Sequence, residues 1–173
     1  MRLIGGAVLA LLAATMAAQA ARAQVQRCPD KLPPAVAAKR DAIVQAATAK
    51  DWAALKRLTA PDDFVYSFGD AGDPIGYWQD SLKQGTDVAQ AMAAIFAMPC
   101  VVYSEAGRRE YLWPSAAELD WKALNAREKA VLQAFYGASI DEWYIEGRAK
   151  GYYVGWRGSI TQEGAWTSFV AGD

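Results

Sequence analysis

The sequence predicts an α+β domain, with helices packed on a curved, mostly antiparallel sheet that closes with a C-terminal β-hairpin. Three observations carry that expectation. Apolar residues between positions 34 and 96 recur at helical spacing. Short runs of β-branched and aromatic residues at 64–68, 100–104 and 108–113 read as strands. The final stretch, "GYYVGWRGSITQEGAWTSFVAGD" (151–173), holds two more such runs on either side of one polar turn.

"PAVAAKRDAIVQAATAK" (34–50) puts Val36, Ile43, Val44 and Ala47 on one helical face, and Asp51 is placed to cap a short second helix carrying Trp52, Leu55 and Leu58. "PDD" (61–63) ends that helix, "FVYSF" (64–68) is expected as a strand, and "GDAGD" (69–73) as a turn. "PIGYWQDSLKQG" (74–85) reads as a helical turn and loop. Thr86 is expected to cap a clearer helix with Val88, Met92, Ile95 and Phe96 on its buried face, stopped by Pro99. "CVVYS" and "RREYLW" are expected as strands joined through "EAG" (105–107), the second broken by Pro114. Asn125 with Glu128 makes a capping-box pattern before "KAVLQAFY", and Gly137 suits a helix end. "ASIDEWYIEGRAK" (138–150) is left open between a helical turn and an irregular lid. In the closing segment Tyr152, Val154, Trp156 and Ile160 alternate along one face, and Tyr153, Arg157 and Ser159 along the other. "TQEG" (161–164) supplies the turn, with Gly164 at the position needing positive φ, and "AWTSFV" returns with Trp166 and Phe169 expected on opposite faces.

The N-terminus has the three parts of a secretory signal: Arg2, an apolar stretch from Leu3 to about Ala18, and small residues at Ala21 and Ala23 before Gln24. That stretch is shorter than the roughly 20 residues needed to cross a bilayer. The expectation is therefore a signal peptide over 1–23, cleaved after Ala23, and a single globular domain over 24–173 that is periplasmic or secreted and not inserted in the membrane. Loss of Arg2 and Arg22 with the leader takes the formal net charge from −1 to about −3. No basic stripe remains to neutralise a phosphate backbone, so nucleic acid is not an expected partner. In an oxidising compartment the two cysteines, Cys28 and Cys100, are expected to form a disulfide.

The ending, together with "YSFGD" and "YLWP", resembles a group of uncharacterised exported proteobacterial proteins that close on a glycine–aromatic hairpin finishing in FVAGD. That resemblance covers roughly residues 40–173 and implies export without implying an activity. "AATAKDWAALKRLTAPDDFVYSF" is more remotely similar to the opening of NTF2-like domains, which implies a cone of helices on a curved sheet.

The chain contains no histidine. Serine and cysteine triads, histidine-ligated zinc and imidazole acid–base chemistry are thereby excluded. The sequence also lacks a GxSxG, a P-loop and a GxGxxG. Asp70, Asp73 and Asp80 fall short of a calcium-loop pattern, so neither a metal nor a cofactor is expected. Tyr66, Trp78, Tyr111, Trp113, Tyr153, Trp156 and Trp166 form an aromatic set able either to line an apolar pocket or to fill the core. Arg157, among them, is suited to clamp an anion or to pair with an acidic neighbour. The leading expectation is a non-catalytic binding or interaction module of the cell envelope, its partner a small apolar molecule or an envelope protein. Two alternatives stay open: a histidine-free enzyme using a buried Asp or Glu with a Tyr, and a structural envelope protein. The sequence does not specify an oligomeric state.

Overall fold

The computed structural model describes residues 24–59, 64–67 and 72–172. The expected signal peptide (1–23), the "PDD" turn, Phe68 and Asp70 lie outside the described residues. The described chain forms five strands and six helices: β1 (Gln24–Arg27), α1 (Pro34–Thr48), α2 (Trp52–Leu58), α3 (Pro74–Lys83), α4 (Val88–Phe96), β2 (Val101–Glu105), β3 (Arg108–Trp113), α5 (Ala126–Tyr136), α6 (Ile140–Ala149), β4 (Arg157–Thr161) and β5 (Trp166–Val170). The strands make one antiparallel sheet whose spatial order, β1-β2-β3-β4-β5, follows the chain. The expected α+β class and the closing hairpin are both present.

Helix starts follow a common local rule. Asp51, Asp73 and Asp87 each accept a hydrogen bond from an amide of the first turn, at Ala54, Ile75 and Gln90. The cap of α4 is thus Asp87 and not Thr86. The Thr86 amide instead donates to the Ser81 carbonyl, closing off α3. Residues 74–83 are a full helix and not a turn and loop, because Asp73 and Pro74 start it and Ile75 and Trp78 bury one of its faces. The open stretch 138–150 is likewise helical: Ile140 and Tyr144, one turn apart, are both buried. The capping box at Asn125 and Glu128 is formed, and Gly137 ends α5 at φ +94°.

One face of the sheet carries Tyr111, Trp113, Ile160, Trp166 and Phe169, all buried. Phe96 of α4 is the hub above it, with ring centroids 5.4 Å from Trp113, 6.1 Å from Trp166 and 5.9 Å from Phe169. Burying one such ring contributes about 2–3 kcal/mol. Gly158 makes the close approach possible, since a Cβ there would stand 2.6 Å from the Phe96 ring.

Four details of the strands differ from the sequence expectation. β1 carries no periodic signal: it is four residues long and exposed throughout, and it is held by its ladder to β2 and by the Cys28–Cys100 disulfide beside it. "FVYSF" is no ladder strand. Val65 makes one isolated parallel bridge, taking the Phe169 amide and giving its own to the Thr167 carbonyl, each at 2.9 Å. The hairpin begins only at Arg157. Before it, the Val154 carbonyl accepts from Gly172 and the Trp156 amide donates to the Tyr136 hydroxyl, so 152–156 is not laddered; Tyr153 is buried while Val154 is exposed. Finally, Trp166 and Phe169 share the core face. Ser159 pairs with Ser168 and Ile160 with Trp166, leaving Thr167 as the extra residue of a bulge.

Candidate functional site

The face of the sheet opposite Phe96 holds an open groove of about 800 Å³ near the β2–β3 and β4–β5 turns. Strand alternation places its lining. Tyr103 and Glu105 on β2 stand opposite Glu110 and Arg108 on β3, and Thr161 and Ser159 on β4 continue the same face. β5 adds Ser168 and the bulged Thr167. The floor is a chain of hydroxyls ending on a carboxylate: Thr167 Oγ1 donates to Glu110 Oε1 at 2.8 Å, while Ser159 Oγ lies 2.7 Å from both Thr167 Oγ1 and Ser168 Oγ. At the rim the Tyr103 hydroxyl donates to Glu105 at 3.0 Å.

The aromatic set is placed elsewhere. Trp78, Trp113 and Trp166 are fully buried, Tyr66 and Tyr153 nearly so. Trp78 stacks on Trp166 at 5.9 Å, and Phe64 meets both edge-on. Trp156 is half-buried and stacks on Phe169 at 5.1 Å. These rings fill the core around Phe96. Tyr111 is buried too, and lines a smaller depression of about 490 Å³ beside β1. Of the residues singled out from the sequence, Arg157 borders the large groove, and its guanidinium donates to the Tyr153 carbonyl at 2.6 Å. Asp73 caps α3 and Asp80 pairs with Lys83 at 2.7 Å; among the described residues there is no group of three or more acidic or cysteine side chains placed to hold a metal ion. No helix of the described residues is long and apolar enough to cross a membrane.

Glu128 is the charged residue with a fully buried side chain among those described. Burial alone would raise its carboxyl. Arg27, Ser115 and the Asn125 amide all donate to it, and together they hold it below the ordinary carboxylate value. Its lone pairs are committed to joining β1, the 115–117 turn and α5. Burial pushes the Tyr136 hydroxyl up to about 12 and raises those of Tyr144 and Tyr153 as well. The single proton of the Tyr144 hydroxyl is shared between the carbonyls of Ala116 and Leu119, and Arg148 donates to those of Ala117 and Glu118, so α6 clamps the 115–119 turn. Glu118 beneath it is raised by burial, with Arg148 and Arg157 opposing.

The groove residues were overlooked in the sequence because polar side chains on a strand read as its solvated face. The signal available was the alternation of "VYSE" and "RREY", which puts Tyr103, Glu105, Arg108 and Glu110 on one side.

Comparison with protein-family models, curated proteins and solved structures finds no match. Neither the hairpin group nor the NTF2-like element order gains support from these comparisons. What the chain does must therefore be argued from the groove itself.

Proposed function

We propose that this chain is a non-catalytic binding module exported to the cell envelope, with its ligand site in the groove on the outer face of the sheet. The observation that carries the reading is the lining: a cavity of about 800 Å³ is within the size range of small-molecule sites, and hydroxyls and charged groups from four strands converge on it. That chemistry favours a small polar ligand over the apolar one expected from the aromatic residues, which are occupied in packing. The disulfide supports export, since such bridges persist in oxidising compartments.

The test is to purify the protein natively from a periplasmic extract, release bound small molecules by denaturation and identify them by mass spectrometry. The control is Thr161→Trp, which fills the groove from an edge position without touching the Phe96 hub. A polar compound carried by the wild type and absent from Thr161→Trp is the expected result. Release of the same compounds from both proteins would remove the groove from consideration.

A further inference from the structure

We propose that the groove selects a ligand presenting a primary ammonium group, which docks on Glu110 and Ser168. This inference rests on the groove being the ligand site and adds the chemistry of its occupant. Each hydroxyl on the floor has a single proton to give. Thr167 gives its proton to Glu110. In the 2.7 Å contact between Ser159 and Thr167, Ser159 must then be the donor, and its proton is spent. In the 2.7 Å contact between Ser159 and Ser168, Ser168 must in turn be the donor. The chain runs one way, from Ser168 through Ser159 and Thr167 to Glu110. The hydroxyl protons of Ser168, Ser159 and Thr167 all point along the chain, so these three offer a ligand lone pairs only, beside the second carboxylate oxygen of Glu110.

A surface of acceptors is complementary to a donor, and hydrogen bonds in which an ionised donor meets a carboxylate are about twice as strong as neutral ones. The nearest competing charge does not reverse this. Arg108 belongs to the neighbouring cross-strand pair, with Glu105 and not Tyr103 as its partner, and Arg157 donates to the Tyr153 carbonyl. An anionic group lowered to the floor would meet Glu110 and a row of oxygens with no proton to offer.

Three sugars of similar size separate the outcomes: glucosamine, glucose and glucose 6-phosphate, each titrated below neutral pH into the isotope-labelled mature chain while backbone amide shifts are followed. Glucosamine is expected to move the amides of Ser159, Thr167 and Ser168 saturably, with glucose binding roughly tenfold or more weakly. Glu110→Gln should abolish that preference while leaving the remaining amide spectrum unchanged. If glucose 6-phosphate moves these amides and glucosamine does not, the groove stands as a site and the donor assignment is wrong. If none of the three moves them, the groove and its chemistry both fail.

Discussion

Trp166 and Phe169 stand three positions apart on one strand, yet both face the core and both pack on Phe96. In an unbroken strand an odd spacing would put them on opposite faces. The extra residue, Thr167, changes that parity. The same bulge gives the outer face the hydroxyl that binds Glu110. One inserted residue thus completes the core on one side of the sheet and the groove floor on the other.

Deleting Thr167 should leave Trp166 and Phe169 two positions apart on an unbulged strand, so both rings should stay in the core and the fold should survive. Deleting Thr167 and Ser168 together leaves the two rings adjacent and should force one of them out, a loss of about 3–5 kcal/mol, comparable to truncating a buried aromatic side chain. Urea denaturation of both variants checks this; a single deletion as damaging as the double one would refute the role given to the bulge.

Gly158→Ala should destabilise the protein by about 1–3 kcal/mol, because the new methyl carbon would sit 2.6 Å from the Phe96 ring and 3.0 Å from that of Phe169. Combined with Phe96→Leu, the alanine should cost measurably less than it does alone. A double-mutant cycle reads that coupling directly, and strict additivity would argue against the close approach.

The Cys28–Cys100 bridge spans 72 residues and ties the segment after β1 to the residue before β2. Thiol titration of the unfolded, unreduced protein should find no free sulfhydryl. Reduction should lower stability by roughly 2–4 kcal/mol without changing the far-ultraviolet circular dichroism.

Glu128 sets a pH dependence whose sign follows from its environment. Its folded-state value lies below the ordinary 4.5 that serves for the unfolded chain. Its contribution is therefore complete above that ordinary value and is lost as the pH falls through the folded one. Glu128→Gln should be less stable than the parent at neutral pH, because Arg27 then faces a neutral amide. The gap between the two proteins should narrow on acidification, as urea midpoints at several pH values will record. A gap that stayed constant into acid would mean that the charge of Glu128 is irrelevant to folding.

How much of this was legible in the sequence can be argued residue by residue. The faces of α1, α2 and α4 were readable because Val36, Ile43, Leu55, Val88, Met92 and Phe96 repeat at helical spacing, and all are buried. The Asn125–Glu128 capping box is a local motif and was found for that reason. β1 was not readable: "QVQR" has one apolar residue, and its place depends on a partner strand far along the chain. The parity change at Thr167 was hidden too, since a bulge is decided by pairing between strands and not by either strand alone. The groove was missed for the same reason. Glu110, Thr167 and Ser159 lie far apart in sequence, and only the register of β3, β4 and β5 brings them together.

The position of β1 also imposes an order of events on a chain made from its N-terminus. Among the described residues the first strand is made before the rest of the sheet, and its one neighbour there, β2, begins just after Cys100. Until Cys100 emerges, 72 positions later, Cys28 has no partner and β1 no ladder. The helices α1 to α4 have local contacts to form in that interval, whereas β1 has none. The earliest strand made is therefore among the last to be secured, and through that interval Cys28 is open to any passing thiol or oxidant.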